Sequence, residues 1–202
     1  MDNYATQSAR SEHGWSASDF IPESHHSLPM LRIFLPLVNE RGNFVRWSRF
    51  VPFDEATASL DWFELADRVA IEEPGVRDLV SCRGELDDAT VGALRDAVGN
   101  VVLHSLHWVG YASGRQSCST CRMLGEDYFE APLEATDIHA GVRVPEFVWD
   151  DEYRLAWGGR LYPDSLVVAA ELNIFQRLIA DPRLDTISVV VDRDVLPPSS
   201  GD

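Results

Sequence analysis

The stretch Arg143–Asp192 constrains the fold more than any other part of this 202-residue chain. Within it, Tyr153–Leu161 carries aromatic and apolar residues interrupted by Gly158-Gly159, the composition of a buried strand with a bulge. Ala170–Ala180 then places Leu172, Phe175, Leu178 and Ile179 on one side at helical spacing. The residue before a proline is pushed out of the α region, so Asp181-Pro182 predicts the end of that helix. Ile187–Val191 follows as a β-branched run, the strongest strand signal in the sequence. A strand, a helix and a strand packed together build a core, and Trp157 and Phe175 are expected on its buried side. Such a unit implies no chemistry by itself.

The rest of the chain supplies further elements in order. Met1–Asp19 is polar and Ser-rich and is expected to be disordered, with Phe20–Pro29 extended and loop-like. Leu31–Val38 predicts a strand in which Pro36 implies an edge or a bulge. Gly42 serves a turn, and Phe44–Phe53 reads as a second strand or a short helix. Ser59–Ala70 predicts a helix burying Leu60 and Phe63, with Leu65 and Val69 as further inward positions. Leu86–Val98 predicts another, capped by Asp87 or Asp88, striped by Val91, Leu94 and Val98, and ended by Gly99-Asn100. Val101–Tyr111 reads as a central strand, Ala112–Gly125 as a loop or short helix, and Tyr128–Leu133 as a short strand. Pro197–Asp202 is a tail.

Charge decides what such a chain can bind. It holds 33 acidic residues against 17 basic ones, a formal net charge of −16, and every basic residue is Arg. That balance disfavours contact with nucleic-acid phosphates or anionic lipid and favours a basic partner. No apolar run reaches the ~20 residues needed to span a bilayer, and no basic-then-apolar leader is visible. Three cysteines, an odd number, argue against a disulfide framework. Together these predict a cytoplasmic protein.

Chemistry-bearing patterns are few. His104-x2-His107 followed by Cys118-x2-Cys121 offers the ligand types and pair spacing of a structural zinc site. In a strand, however, residues three apart point to opposite faces, which splits the two histidines. The bland alternative is a pair of ordinary thiols, and no cofactor is expected. The same Cys118–Cys121 pair suits redox chemistry only if the first thiol sits at a helix N-terminus, where its pKa falls. His25-His26, adjacent in a polar loop, reads as solvated. The acidic groups Asp87-Asp88, Glu126-Asp127 and Asp150-Asp151-Glu152 are neighbours on single segments, unlike carboxylates facing across a cleft, and read as solvated surface. Neither a nucleophile elbow nor a phosphate-binding glycine motif occurs.

Trp149-Asp150-Asp151 with its following aromatic strand, Pro163-Asp164-Ser165, and Leu178–Leu184 resemble the C-terminal half of an uncharacterised bacterial family of similar length. The likeness is strongest over residues 143–192, and extends more weakly to Leu31–Pro36 with Arg46-Trp47 and to Leu86–Tyr111. In that family the acidic pair follows a double tryptophan and a proline, where this chain has Phe147-Val148-Trp149. A later strand there carries a Thr-Glu-x-Asp run, where this chain has Trp157-Gly158-Gly159-Arg160. The resemblance implies no activity, because the family has none assigned.

The sequence therefore predicts one mixed α+β domain over residues 20–196, with a largely antiparallel sheet and two or three packed helices. Its expected function is that of a non-enzymatic acidic binding module, of the accessory or immunity type, acting through a protein partner with a basic surface. Glu126–Glu152 holds nine acidic residues against the single Arg143 and leads into the organising unit. Trp149 is expected to be an exposed anchor beside Asp150, Asp151 and Glu152, completing a partner-binding surface. Two rival readings are an enzyme with an unrecognised carboxylate or thiol site and an acidic mimic of nucleic acid.

Overall fold

Period-two alternation along the strands sorts the apolar residues onto two faces of one large sheet, and a different kind of cover lies on each. The computed structural model describes residues 15–72, 79–111, 120–123, 126–159, 163–192 and 194–196. In chain order the first elements are β1 (Trp15–Ser16), β2 (Met30–Phe34), β3 (Leu37–Val38), β4 (Phe44–Val45), α1 (Trp62–Glu72) and β5 (Val80–Ser81). Next come α2 (Asp88–Val98), β6 (Leu103–Trp108), β7 (Thr120–Met123), β8 (Glu126–Leu133), β9 (Phe147–Trp149) and β10 (Leu155–Gly158). The chain closes with β11 (Ser165–Ala170), α3 (Leu172–Ile179), β12 (Asp185–Val189) and β13 (Asp194–Leu196). The fold is α+β, with antiparallel pairing in each of its sheets.

Eight strands form the main sheet in the order β12-β2-β11-β10-β9-β6-β8-β7. Both β11 and β12 pair antiparallel with β2, so they run parallel to one another on either side of it, joined by α3. The strand-helix-strand unit is therefore present, with an element that the periodicity does not separate. Ser165–Ala170 is a strand buried at every position. A continuous apolar run carries no alternation, and length alone divides it from the helix that follows. Within α3 the buried residues are Ile174 and Leu178, with Phe175 and Ile179 half-buried, and Leu172 is 61% exposed. The buried side of α3 is thus turned away from Leu172 and toward Ile174, with Leu178 common to the expected and the observed stripe. Strand β12 begins at Asp185, two residues before the expected Ile187.

The first face of the sheet carries Leu31, Ile33, Leu103, Val148, Trp157 and Val168 and is covered by α2 and α3. Asp87 caps α2 by accepting the Thr90 N–H, and Gly99 ends it with φ 61°, as the sequence predicts. The second face carries Met30, Leu106, Phe147, Trp149, Ala156 and Val167. Its cover is the segment from Trp15 to Leu28, which supplies Ala17, Phe20 and Ile21. Residues 15–19 are thus an ordered strand and 3₁₀ turn where disorder is expected, while residues 1–14 lie outside the described residues. Gly158 shows why the cover fits: a Cβ there would sit 2.0 Å from the Phe20 carbonyl oxygen. Pairing of β10 runs through Gly158 with unbroken register on both sides, so the glycine serves close approach and no bulge forms.

Pro36 divides the predicted Leu31–Val38 strand in two. β2 lies inside the main sheet, and β3 turns away to join the small sheet β4-β3-β5. There Leu65 and Val69 of α1 pack on Phe34, Trp47 and Leu79, while Phe63, expected inward, is 62% exposed. Arg32, fully buried on β2, ties the two regions together. Its Nε donates to Ser165 Oγ at 2.9 Å and its Nη1 to the Ala58 carbonyl at 2.9 Å, and its guanidinium lies 4.4 Å from the Phe34 ring centroid. Among the described residues no helix is long and apolar enough to cross a membrane.

This packing separates two classes of position on one face. Trp157→Ala, at 1% exposure, is expected to cost about 3–5 kcal/mol, and Ile174→Ala about 2–5 kcal/mol. Leu172→Ala is expected to fall within about 0.5 kcal/mol of wild type. Urea unfolding midpoints check the order, and a Leu172→Ala loss as large as that of Ile174→Ala would contradict the rotation of α3.

Candidate functional site

The turn between β9 and β10 is built around one carboxylate. Asp150 leaves β9 at 2% side-chain exposure. Its Oδ1 accepts the backbone N–H of Arg154 at 2.8 Å and of Leu155 at 3.1 Å. Its Oδ2 accepts the Arg154 Nε–H at 3.2 Å. From the opposite side His25, also fully buried, brings Nε2 to 3.3 Å from Oδ1, while Ser24 Oγ lies 3.0 Å from Nδ1. Taken together these contacts place the ring proton on Nε2, with the serine hydroxyl donating to Nδ1. Burial holds His25 below its usual pKa against the opposing pull of Asp150, which keeps the ring neutral. Burial also acts to raise the Asp150 pKa, but the Leu155 and Arg154 N–H groups, with His25 and the Arg154 side chain, outweigh it and leave the carboxyl below its ordinary value.

Ser24, His25 and Asp150 have the residue types of an acyl-transfer triad, but the arrangement works as a clamp. The serine reaches the ring from the next position in the chain, and the carboxylate is already committed to the turn. His25 is accordingly no solvated loop histidine; it fastens the N-terminal cover to the hairpin. The sequence signal that identifies it is slight, because its partner lies 125 residues away.

Around this hub the expected partner-binding residues divide. Trp149 is 9% exposed and points into the second core, so it is not the exposed anchor expected of it. Asp150 is likewise buried as the hub. Asp151 and Glu152 are exposed, with side-chain exposures of 82% and 71%. Neither is loose: Asp151 Oδ2 meets His104 Nε2 at 3.1 Å, and Glu152 Oε2 meets Arg154 Nη2 at 3.1 Å. Tyr153, placed by sequence on a strand, occupies the turn with φ 58° and is 57% exposed. A left-handed backbone is costly for a bulky residue and persists only where surrounding contacts enforce it. Asp150 provides that enforcement, and the Tyr153 ring lies edge-on to His25 at 5.6 Å.

His104 and His107 project from opposite faces of β6, in line with strand geometry. His104 stacks on Trp149 at 5.3 Å and meets Glu130 Oε1 through Nδ1 at 3.3 Å. His107 stacks on Phe129 at 4.9 Å and bonds Ser105 Oγ through Nε2 at 3.0 Å. Cys121 lies on β7, opposite Tyr128, where a loop or short helix is expected. Burial, then the Glu130 charge, pushes its thiol pKa up, the reverse of what a reactive redox thiol needs. Cys118 lies outside the described residues. Among the described residues no three His, Cys, Asp or Glu side chains converge as metal ligands.

Sequence reasoning treats Glu146 as part of a solvated acidic stretch, yet it is 1% exposed. Its Oε2 accepts the Trp108 N–H at 3.0 Å, and Oε1 is buried without a hydrogen-bond partner among the described residues. Burial pushes its carboxyl up to about 7, against the opposing Trp108 N–H. With Glu146 and Asp150 both inside, the charge concentration expected over Glu126–Glu152 is thinner than the sequence suggests.

Comparison with protein-family models, with curated proteins and with solved structures found no match to this chain. The resemblance over residues 143–192 therefore assigns no role, and the function rests on the geometry alone.

Glu146 gives a signed pH dependence. Its folded pKa is raised, so the contribution of its protonated form is fully present below an ordinary value near 4.5 and is lost as pH climbs to about 7. Glu146→Gln stays neutral and keeps an oxygen for the Trp108 N–H. The variant's stability relative to wild type should therefore grow between pH 4.5 and 7 and level off above, reaching on the order of 3 kcal/mol. Urea unfolding at pH 4.5, 6 and 8 checks this, and a difference that stays flat across the three would contradict it.

Proposed function

We propose that this protein is a non-enzymatic acidic binding module that docks a basic protein surface through the β9–β10 turn. One observation carries the reading: Asp151, Glu152 and Tyr153 stand exposed on a turn whose backbone is fixed from within by Asp150. Two held carboxylates beside an exposed aromatic ring combine charge steering with an apolar anchor, and a prefixed turn loses little freedom on binding. Tyr153 takes the anchoring role that the sequence gives to Trp149. An accessory or immunity-type protein, which works by occupying a partner, needs nothing more from its surface.

Two variants separate binding from folding. Tyr153→Gly removes the ring where the backbone already has φ 58°, so stability should hold or rise by up to about 1 kcal/mol. Partner capture from the native host should nevertheless fall at least tenfold. Asp151→Arg/Glu152→Arg should slow association and weaken its salt dependence with little effect on the unfolding midpoint. Mass spectrometry of proteins retained by wild type and by each folded variant, at low and high salt, is the readout. The same proteins retained equally by all three would overturn the reading.

A further inference from the structure

His104 sits between two carboxylates, and each nitrogen of its ring faces one of them. Nδ1 lies 3.3 Å from Glu130 Oε1 on β8, and Nε2 lies 3.1 Å from Asp151 Oδ2 on the β9–β10 turn. Stacking on the Trp149 ring at 5.3 Å holds the plane of the imidazole. Pro132, opposite His104 on β8, brings neither charge nor N–H. Beyond the two carboxylates, the Cys121 thiol of β7 feels the Glu130 charge, and Glu152 in the turn is engaged by Arg154.

Proton counting decides what this arrangement can do. A carboxylate only accepts, and a neutral imidazole carries one N–H and one lone pair. The neutral ring therefore satisfies one of the two oxygens and sets a lone pair against the other. Only the imidazolium donates to both. Histidine is the side chain whose charge ordinarily changes between about pH 5 and 8. The two contacts also differ in what can replace them. Glu130 has 25% side-chain exposure, whereas Asp151 has 82% and can exchange the ring for water. Among the described residues His104 is the only side-chain partner of Asp151, while the backbone of the turn is fixed separately by Asp150.

We propose that His104 gates the docking turn by its charge: the imidazolium occupies Asp151, and loss of its proton releases Asp151 to a cationic group of the partner. This regulation rests on the reading of the turn as a docking surface for a basic protein. The N–H that remains on the neutral ring stays on Nδ1, toward the better shielded Glu130. A protonated ring supplies in advance the cation that a partner's guanidinium or ammonium would bring, so docking is coupled to proton release. The coupling is reciprocal, and a bound basic group drives the ring toward its neutral form. Removing one unit of charge beside a docking cation changes affinity by about fivefold.

The test is NMR of the full chain with a capped tri-arginine peptide as the basic probe, below and above the midpoint measured for the His104 ring. Ring nitrogen signals should show both nitrogens protonated below the midpoint and the Nδ1–H form above it. Peptide-induced shifts at the Tyr153 ring and at the Asp151 and Glu152 amides should report binding about fivefold tighter above the midpoint. His104→Gln should bring that ratio close to one, while His25 and Glu146 titrate in the variant as in wild type. Should His104→Gln fail to fold, Asp151→Asn reads the same link from an exposed position and should move the His104 midpoint to lower pH. Four results would overturn the gate alone: a neutral ring protonated on Nε2, equal affinity at the turn on both sides of the midpoint, an unchanged ratio in folded His104→Gln, or a midpoint unmoved by Asp151→Asn. Absence of peptide shifts at the turn under both conditions would overturn the docking reading together with it.

Discussion

A single buried carboxylate, Asp150, joins two parts of the molecule that are far apart in sequence. It closes the turn between two interior strands of the main sheet, engages the Arg154 guanidinium, and meets His25 in the N-terminal segment. An ionised group in the interior is tolerated only when its oxygens are satisfied, and here both accept hydrogen bonds. The arrangement has a structural consequence beyond the turn. The second face of the sheet is apolar and is covered by the segment from Trp15 to Leu28 instead of a helix. A cover with so little secondary structure of its own depends on specific attachments. The His25–Asp150 contact and the approach of Phe20 onto Gly158 are two of them. Placement of the turn and placement of the cover are therefore one problem with one solution.

The two faces of the sheet also divide the histidines of β6. His104 and His107, three residues apart, point to opposite sides. His104 stacks on Trp149 and holds Asp151, which ties the exposed acidic tip back to the second core. His107 stands on the first face, stacked on Phe129 and bonded to Ser105. A spacing that suggests shared metal ligation thus serves two unrelated environments. The alternation of a strand produces this outcome whenever an odd interval separates two polar residues.

Much of the architecture was legible in the chain because local chemistry and packing agree there. Asp87 and Gly99 bound α2, Val91, Leu94 and Val98 face the core, and Trp157 is buried on β10. Legibility failed where long-range packing decided. Ser165–Ala170 is buried on both faces and so lacks the alternation that marks a strand. Pro36 marks the point where one strand leaves the main sheet for a smaller one, which local φ preferences do not reveal. At the candidate site the aromatic beside the acidic run was legible, but its direction was not. Trp149 ends a strand facing the interior, whereas Tyr153 is carried outward by a left-handed turn. Glu146 and Asp150 resemble their solvated neighbours in sequence, and only tertiary contacts distinguish them.

The central claim is that the Asp150 carboxylate fixes the β9–β10 turn before any partner arrives. Native-state hydrogen exchange of the Arg154 and Leu155 amides, the two N–H groups that carboxylate accepts, tests it most directly. The account predicts that both amides exchange as slowly as those inside β10, opening only with the sheet itself. Exchange of the Arg154 amide at the rate of an open solvent-exposed turn, while the β10 amides stay protected, would contradict it.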